Sequence, residues 1–574
     1  MYRLLTLTLS LLAGPTLFAQ VLIKNVTVVD TEKKALLRNQ SVVVTDGRIA
    51  AVAKDVKYKL PEGTTVIDGT GKYLIPGLVD AHVHFFQSGG VYTRPDAVDL
   101  RRYQPYQKEI DWVHGHMEDF LRRYTAKGIT TVIDVGSTIN FLKQRDTFRS
   151  KPYAPAVYMT GPLLTTWEPA AVKGLQDDGP FYLMTTPEEA RKYVQQQLPF
   201  KPDFIKIWYI VQGRNTDSSA RASLPLVQAV IDEARKAGLR TAVHATEQIA
   251  AHLAVEAGAH FLVHNVDDKV VDDAFVQLLR QKGTVLNPTM VVSGNYGKVF
   301  TGAYTFTEED WQHAHPTPLA SVIDFANLPD TALTARYKRF APIIKQRRAA
   351  EDSILNANLK KLLLGGVTIA TGTDAGNIGT QHVSSYNAEL QAMQAAGFDL
   401  WQLLQASTLN GAKAVGREAE FGSIKVGKRA DMVLLGADPL QSLENWNKVE
   451  WVINKGVALK PDSVRVATPE GLAQQQLLAY NAHNLEAFLE PYAEDVEIYT
   501  FPNQLQTKGK AEMRKRYDFI TKTPGLYCRL LNRIVQGNTV IDHEEVYFKE
   551  DKPIYAVAIY QVEGGKIKRV YFAR

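Results

Sequence analysis

One unit recurs through the middle of this chain: a helix-like segment, a glycine, then a short apolar run. "YTAKGITTVIDVG" turns at Gly128, "ARKAGLRTAVHA" at Gly238, "AVEAGAHFLVHN" at Gly258, "LLRQKGTVLNPT" at Gly283, and "KLLLGGVTIATGTDAG" at Gly365 and Gly366. A glycine just past a helix end accepts the left-handed backbone that closes the helix before the next strand. Thr186, Pro187 and Glu189 give the matching start signal, a capping box with proline at the first helical position. Eight runs then read as strands: 78–85, 130–136, 156–161, 204–209, 241–245, 261–265, 284–289 and 367–373. Strands alternating with helices run parallel and are joined by crossovers. Eight such units predict an α/β chain built on a closed (β/α)8 TIM barrel, with its chemistry at the C-terminal ends of the strands. An open doubly wound sheet is the alternative, because a strand count does not prove closure.

A chain of 574 residues is too long for one ordinary core. Residues 20–73 and 421–465 alternate β-branched residues with Asp-Gly and Gly-Lys turns. They predict a small β-sandwich assembled from both sides of a barrel spanning 74–420. Residues 470–574 change texture, reading helix, strand, helix and then a hairpin turning at Gly564-Gly565, a separate α+β domain.

The strand ends carry the informative residues. "IPGLVDAHVHFF" ends an apolar run in two histidines one residue apart, and β alternation puts His82 and His84 on one face. Lys206 in "DFIKIW", His244 in "TAVHA", His264 in "FLVHN" and Asp374 in "TIATGTDAG" likewise interrupt or close apolar runs, where an unpaired polar group costs free energy. Six such residues at strand ends point to a metal centre. The chain supplies its own controls. His114 and His116 repeat the spacing on an amphipathic helix, where residues two apart diverge, and His313 and His315 fall in a proline-broken, loop-like segment.

Lys206 needs its own account. An ammonium cannot ligate a metal, and burial beside two cations would depress its pKa. A neutral lysine can add carbon dioxide to give a carbamate, an anionic oxygen ligand able to bridge two ions. A lysine paired with a carboxylate and a Schiff-base lysine are the alternatives, though the latter leaves four histidines unexplained.

Composition narrows the class. The chain is 45% hydrophobic and 22% charged, and 66 Lys+Arg against 61 Asp+Glu leave a net +5 with no basic stripe for nucleic acid. Residues 1–19 read as a signal peptide, with Arg3, an apolar core "LLTLTLSLLAG" and Ala19 at the cleavage point, so a periplasmic or secreted location is expected. That core is too short to span a bilayer, which takes about 20 apolar residues. No membrane span is expected once it is cleaved. The single cysteine, Cys528, excludes an internal disulfide and leaves a metal site to His, Asp, Glu or lysine-derived ligands.

With these residues in view, the chain resembles the amidohydrolase superfamily, specifically its binuclear members with a carboxylated lysine. The "HVH" of the first strand, Lys206, His244, His264 and Asp374 carry the match, with "GKYLIPGLVDAHVH", "GITTVIDVG", "STLNGAKAVG" and "GSIKVGKRADMVLL" around them. It is similar to exported relatives of imidazolonepropionase-like or Xaa-Pro dipeptidase-like type, and Lys206 favours the dipeptidase-like branch. The resemblance implies two divalent ions, zinc fitting the ligands best: one held by His82, His84 and Asp374, the other by His244 and His264. N6-carboxylated Lys206 and a hydroxide would bridge them, and Asp374 would be the catalytic proton shuttle. It implies hydrolysis of a C–N amide bond in a dipeptide, N-acyl amino acid or cyclic amide. Ester or lactone hydrolysis and ring deamination use the same centre and remain alternatives. Tyr209 and Arg94, in loops after strands, are candidates to contact a substrate carbonyl or carboxylate, with a structural role as the alternative for each.

The tail resembles the SnoaL-like, or nuclear transport factor two-like, cone fold through "AYNAHNLEAFLEPYAEDVEIY", "KGKAEMRKRY" and "GNTVIDHEEV". Asp542 and His543 are adjacent and face opposite ways on a strand, so a binding or homo-oligomerising role is expected there rather than a second active site. A non-catalytic protein binding ligand through this cone is the non-enzymatic alternative.

Overall fold

The structure is a computed structural model that describes residues 20–54, 61–213, 215–548 and 552–573. The expected signal peptide lies outside the described residues.

Strand Leu78–Val83 pairs in parallel with Ile129–Asp134, which pairs with Ala156–Met159. The third run then breaks and resumes as Leu163–Thr165, which pairs with Phe204–Trp208. From there Arg240–His244, Phe261–Val263 and Val285–Asn287 follow in parallel order. The run expected as an eighth strand is irregular. Residues 367–375 touch their neighbours through single bridges, Leu286 to Ile369 and Val83 to Ala375. Asp374, at φ 61°, leaves the extended region and ends any regular ladder there. Backbone bonds still cross on both sides, Ala370 N–H to Leu286 at 2.8 Å and Ala81 N–H to Thr371 at 2.9 Å. The arrangement is of the TIM-barrel type, with mixed α/β content.

Strand alternation sorts the walls into two layers. Phe204, Ala242, Phe261 and Val285 share one buried cluster. Their neighbours Ile205, Val243, Leu262 and Leu286 pack instead with helix residues such as Val230, Ala254, Leu279 and Leu359. Lys206 and His244, each two residues beyond a member of the first cluster, are thereby aimed away from the helices. The helices end as their sequence requires: Gly258 (φ 108°) and Gly283 (φ 65°) close Gln248–Ala257 and Asp273–Lys282 in the left-handed conformation.

Strands from both flanking regions hydrogen-bond along one eight-stranded mixed path, and their inward residues, Val21, Ile23, Val42, Met432 and Leu434 among them, share one buried core. The link is an edge-to-edge join, Ile75 opposite Val433 and Leu74 opposite Leu434, which makes the N- and C-terminal contributions one ladder.

At the C-terminus a six-stranded sheet is packed by Pro469–Asn481, Leu485–Leu489 and Lys510–Arg516. Its last two strands, Ile554–Glu563 and Lys566–Ala573, turn at Gly564 and Gly565, both with positive φ. Asp542 is buried and His543 exposed, so the two do not share a pocket. The domain rests on the barrel through Leu478 against Ala314 and Leu319, and through Tyr527, whose hydroxyl donates to Asp324 at 2.9 Å. His313 ends the short helix Glu308–His313, and buried His315 caps Pro316–Asp324, so neither is a plain loop residue. Among the described residues no helix is long and apolar enough to cross a membrane.

Candidate metal centre

At the end of the first strand, His82 Nε2 and His84 Nε2 lie 3.2 Å apart. Asp374 Oδ1 stands 3.0 Å from the first and 3.2 Å from the second. The other ring nitrogens fix the tautomers. Asn287 donates through Nδ2 to Ala370 O at 2.8 Å, so its Oδ1 must be the acceptor facing His82 Nδ1 at 3.1 Å. His84 Nδ1 likewise meets only an acceptor, Gly136 O, at 2.7 Å. Each ring therefore carries a proton on Nδ1 and turns Nε2, the nitrogen that can ligate, toward the carboxylate oxygen. Either a proton on one ring or a metal ion among the three atoms holds such a cluster together. The same three residues form a buried cluster able to offer one ligand atom each to a metal ion.

Electrostatics agree. Burial drives His82 down to about 4 against the pull of Asp374, so its imidazole is neutral at pH 7. Burial would raise Asp374, but His82 and His84 outweigh it and hold the carboxyl well below its ordinary range. His244 and His264 are held well below the usual histidine value, first by burial and then by Lys206 and His244 respectively. These are neutral imidazoles and an ionised carboxylate, the states that ligate.

The remaining predicted residues stand beside this triangle. The His244 and His264 rings are 4.4 Å apart, and the His264 ring is 5.1 Å from that of His82. Strand alternation would turn His264 away from its inward neighbour Val263, but a left-handed backbone at φ 76° returns it to the site. Its Nδ1 is 2.6 Å from Thr289 Oγ1. Left-handed His264, Thr289 and Asp374 together are backbone strain gathered at one place, as functional sites collect it. Lys206 is 1% exposed, and burial lowers its amine to about 7, opposed only through space by Asp374 and Asp134. Among the described residues no hydrogen bond or ion pair reaches its amine.

Arg94 and Tyr209 are placed differently. Arg94 holds Asp96 with Nε at 2.8 Å and Nη2 at 2.6 Å, while Nη1 reaches Asn377 Oδ1 at 2.5 Å and Tyr296 at 3.0 Å. Asn377 Nδ2 then donates to Asp374 Oδ1 at 2.7 Å. Arg94 thus positions Asp374 through Asn377. Tyr209 is fully buried in the barrel core, and its hydroxyl donates to the carbonyl of Ala220 on the following helix. That engagement fits the structural alternative for Tyr209.

The supporting residues Asp80, Asp134, Asn287 and Asn377 were not singled out from sequence. Asp80, fully buried, accepts from Thr373 N–H at 3.0 Å and its hydroxyl at 2.8 Å, tying the first strand to the segment that bears Asp374. Asp134 takes Phe85 N–H at 3.0 Å and Gly136 N–H at 3.1 Å, fixing the carbonyl that holds His84. Asp80, Asp134 and Asn287 interrupt or close apolar runs, the same signal that marked the histidines. Space is tight as well: a Cβ on Gly372 would lie 2.7 Å from His82 N and 2.8 Å from its Cβ.

Comparison with known proteins places this geometry. The chain is similar to the enamidase of Eubacterium barkeri, 33% identical over 105 residues, which are 18% of this chain and 22% of that protein. The match thus spans about a fifth of the enamidase's length. Guanine deaminase of Escherichia coli (strain K12) is 22% identical over 409 residues, 69% of this chain and 81% of that protein. Among solved structures, a Xaa-Pro dipeptidase with bound methionine in the active site superposes with a TM-score of 0.57 at 22% identity, covering 77% of this chain and 100% of that one. Residues 473–570 match the SnoaL-like domain. Residues 73–459 match the amidohydrolase family, which spans the barrel and every residue of the triangle, and the chain belongs to that family.

Proposed function

We propose that this chain is a metal-dependent hydrolase of carbon–nitrogen bonds, acting on an amide of a dipeptide, N-acyl amino acid or cyclic amide. One observation carries the reading: two imidazole Nε2 atoms and a carboxylate oxygen converge on one point. His82, His84 and Asp374 fit one divalent ion, and His244 and His264 fit a second. Lys206, buried with its amine lowered to about 7, is reactive toward carbon dioxide and as a carbamate would bridge the pair. Nitrogen and oxygen donors suit zinc best. Such ions acidify water and polarise a carbonyl when bound.

The chain's own residues supply the rest. Asn287 and Gly136 fix the rings of His82 and His84, as groups around metal ligands do. Asn377, held by Arg94, fixes Asp374 Oδ1. Among the described residues Asp374 Oδ2 carries no hydrogen bond, so that oxygen is the one that takes a proton from water and returns it to the departing amine. The Xaa-Pro dipeptidase and enamidase that the chain is similar to support the amide reading by their names. The deaminase relative keeps ring deamination as the second reading. Export to the periplasm or beyond rests on the leader pattern of residues 1–19.

The test is metal analysis of purified protein followed by dipeptide, N-acyl amino acid and purine panels, with and without chelator. Amide hydrolysis that chelator abolishes and added zinc restores is the expected result. Purine deamination alone would favour the second reading, and turnover unaffected by chelator would overturn both.

A further inference from the structure

The chain's small net charge conceals one concentrated run. Between 331 and 350 there are six Lys and Arg residues and no Asp or Glu. The run forms the first half of the helix Thr331–Leu364, which at 34 residues is about 51 Å long. Its second half packs on the barrel through Leu355, Leu359 and Leu362. The first half is held along one side only. There the Tyr337 ring lies 4.9 Å from Phe300 and 5.3 Å from Phe325, and Arg348 donates to Met290 O at 2.9 Å.

The side turned to solvent is the unusual one. Arg336, Arg339, Phe340, Ile343 and Arg347 are spaced so that they share one helical face, and each is exposed. Phe340 is 39% and Ile343 46% exposed, large apolar side chains left in water. The Arg339 guanidinium stands over the Phe340 ring, 5.2 Å from its centroid, so cation and ring occupy one patch. Arg348 pairs with Glu351 at 3.0 Å, whereas among the described residues Arg336, Lys338, Arg339, Lys345 and Arg347 make no ion pair. The face thus sets unneutralised positive charge around two apolar side chains.

We propose that this face is a docking surface for an anionic phospholipid membrane, with Phe340 and Ile343 entering the acyl boundary and the cations on the headgroup phosphates. A helix lying in a membrane interface combines these two elements, apolar side chains that insert and Lys or Arg that hold the headgroups. Arginine stems are long enough to reach the phosphates while the apolar pair inserts beside them. Nucleic acid would take the arginines and leave Phe340 and Ile343 in water. A second copy of the chain would set arginine against arginine. A lipid surface meets the charges and the apolar pair together. The surface is independent of the metal centre and of the reaction proposed there.

Co-sedimentation of the full chain with vesicles tests this, comparing phosphatidylcholine alone with phosphatidylcholine mixed with phosphatidylglycerol. The chain should sediment with the anionic vesicles only. Raised salt should weaken that binding, as the screening length shortens from about 10 Å at 0.1 M to about 3 Å at 1 M. Arg336→Gln, Arg339→Gln and Arg347→Gln together should weaken it about a hundredfold, from about fivefold per cation. Phe340→Ser with Ile343→Ser should weaken it at least about tenfold. Both variants should keep the zinc content and melting temperature of the unaltered chain. Equal binding to both vesicles, binding to neither, undiminished binding by either variant, or a dimer in light scattering that Phe340→Ser with Ile343→Ser dissolves would each overturn the proposal. The vesicle comparison and its salt dependence on the unaltered chain decide the matter even if a variant fails to fold.

Discussion

Replacing Asn287 with alanine tests whether the imidazole geometry is built for a metal. Asn287 is fully buried and makes two side-chain bonds, Oδ1 to His82 Nδ1 at 3.1 Å and Nδ2 to Ala370 O at 2.8 Å. Losing them leaves a donor and an acceptor unsatisfied, each costing about 1–3 kcal/mol, so thermal stability should fall. That part would follow for any buried asparagine. The second effect would not: His82 loses the acceptor that sets its tautomer, and removal of such a partner weakens metal affinity by about 10–100-fold, or about 1.4–2.7 kcal/mol. The assay is zinc competition against a chelator of known affinity, which needs no substrate. Asn454→Ala is the control. Asn454 is also fully buried and donates to Pro152 O and Ala154 O, both at 2.7 Å, far along the chain from any ligand. It should lose similar stability and keep its metal. Asn287→Ala binding zinc as tightly as the unaltered chain, or Asn454→Ala losing as much affinity, would refute the reasoning.

Other changes have equally definite outcomes. Lys206→Ala should cut metal content and lower amide hydrolysis by more than about 100-fold, with partial recovery in added short-chain carboxylic acids, read by elemental analysis and turnover. Gly372→Ala forces a Cβ against His82 and Asn287, so overpacking of about 1–3 kcal/mol should lower the melting temperature and weaken zinc binding together. Asp324, which accepts from Tyr527 across the junction with the cone, is raised to about 6, mainly by burial. A raised carboxyl contributes stability fully present below its unfolded value of about 4 and lost as pH rises through about 6. Asp324→Asn should therefore flatten the fall in melting temperature between pH 4 and 6, measured by scanning calorimetry. An unchanged slope would contradict this assignment.

The barrel strands and their helix-closing glycines were legible because alternation and C-cap chemistry are local. Gly258 and Gly283 adopt the conformation their position demanded. The candidate site was legible for a related reason: His82, Lys206, His244, His264 and Asp374 are polar groups at the ends of apolar runs, and the structure brings the histidines and Asp374 together. What escaped is long-range. The irregular segment 367–375 still reads as a strand in sequence, because nothing in "TIATGTDAG" reveals that Asp374 takes a left-handed backbone. The edge-to-edge join of Leu74 with Leu434 spans residues hundreds apart, and strand pattern alone does not reveal it. Sequence left Tyr209 open between a substrate contact and a structural role, and the bond of its hydroxyl to Ala220 fits the second. Asn287, Asp80 and Asp134 carried the same mark as the ligands and needed only the same rule applied to them.

Anomalous diffraction from zinc-soaked crystals, recorded on both sides of the zinc absorption edge, measures the central claim directly. Two peaks are predicted, one bonded to His82 Nε2, His84 Nε2 and Asp374 Oδ1 and one to His244 and His264, with modified Lys206 between them. Absence of any peak within bonding distance of the His82, His84 and Asp374 triangle would contradict the account.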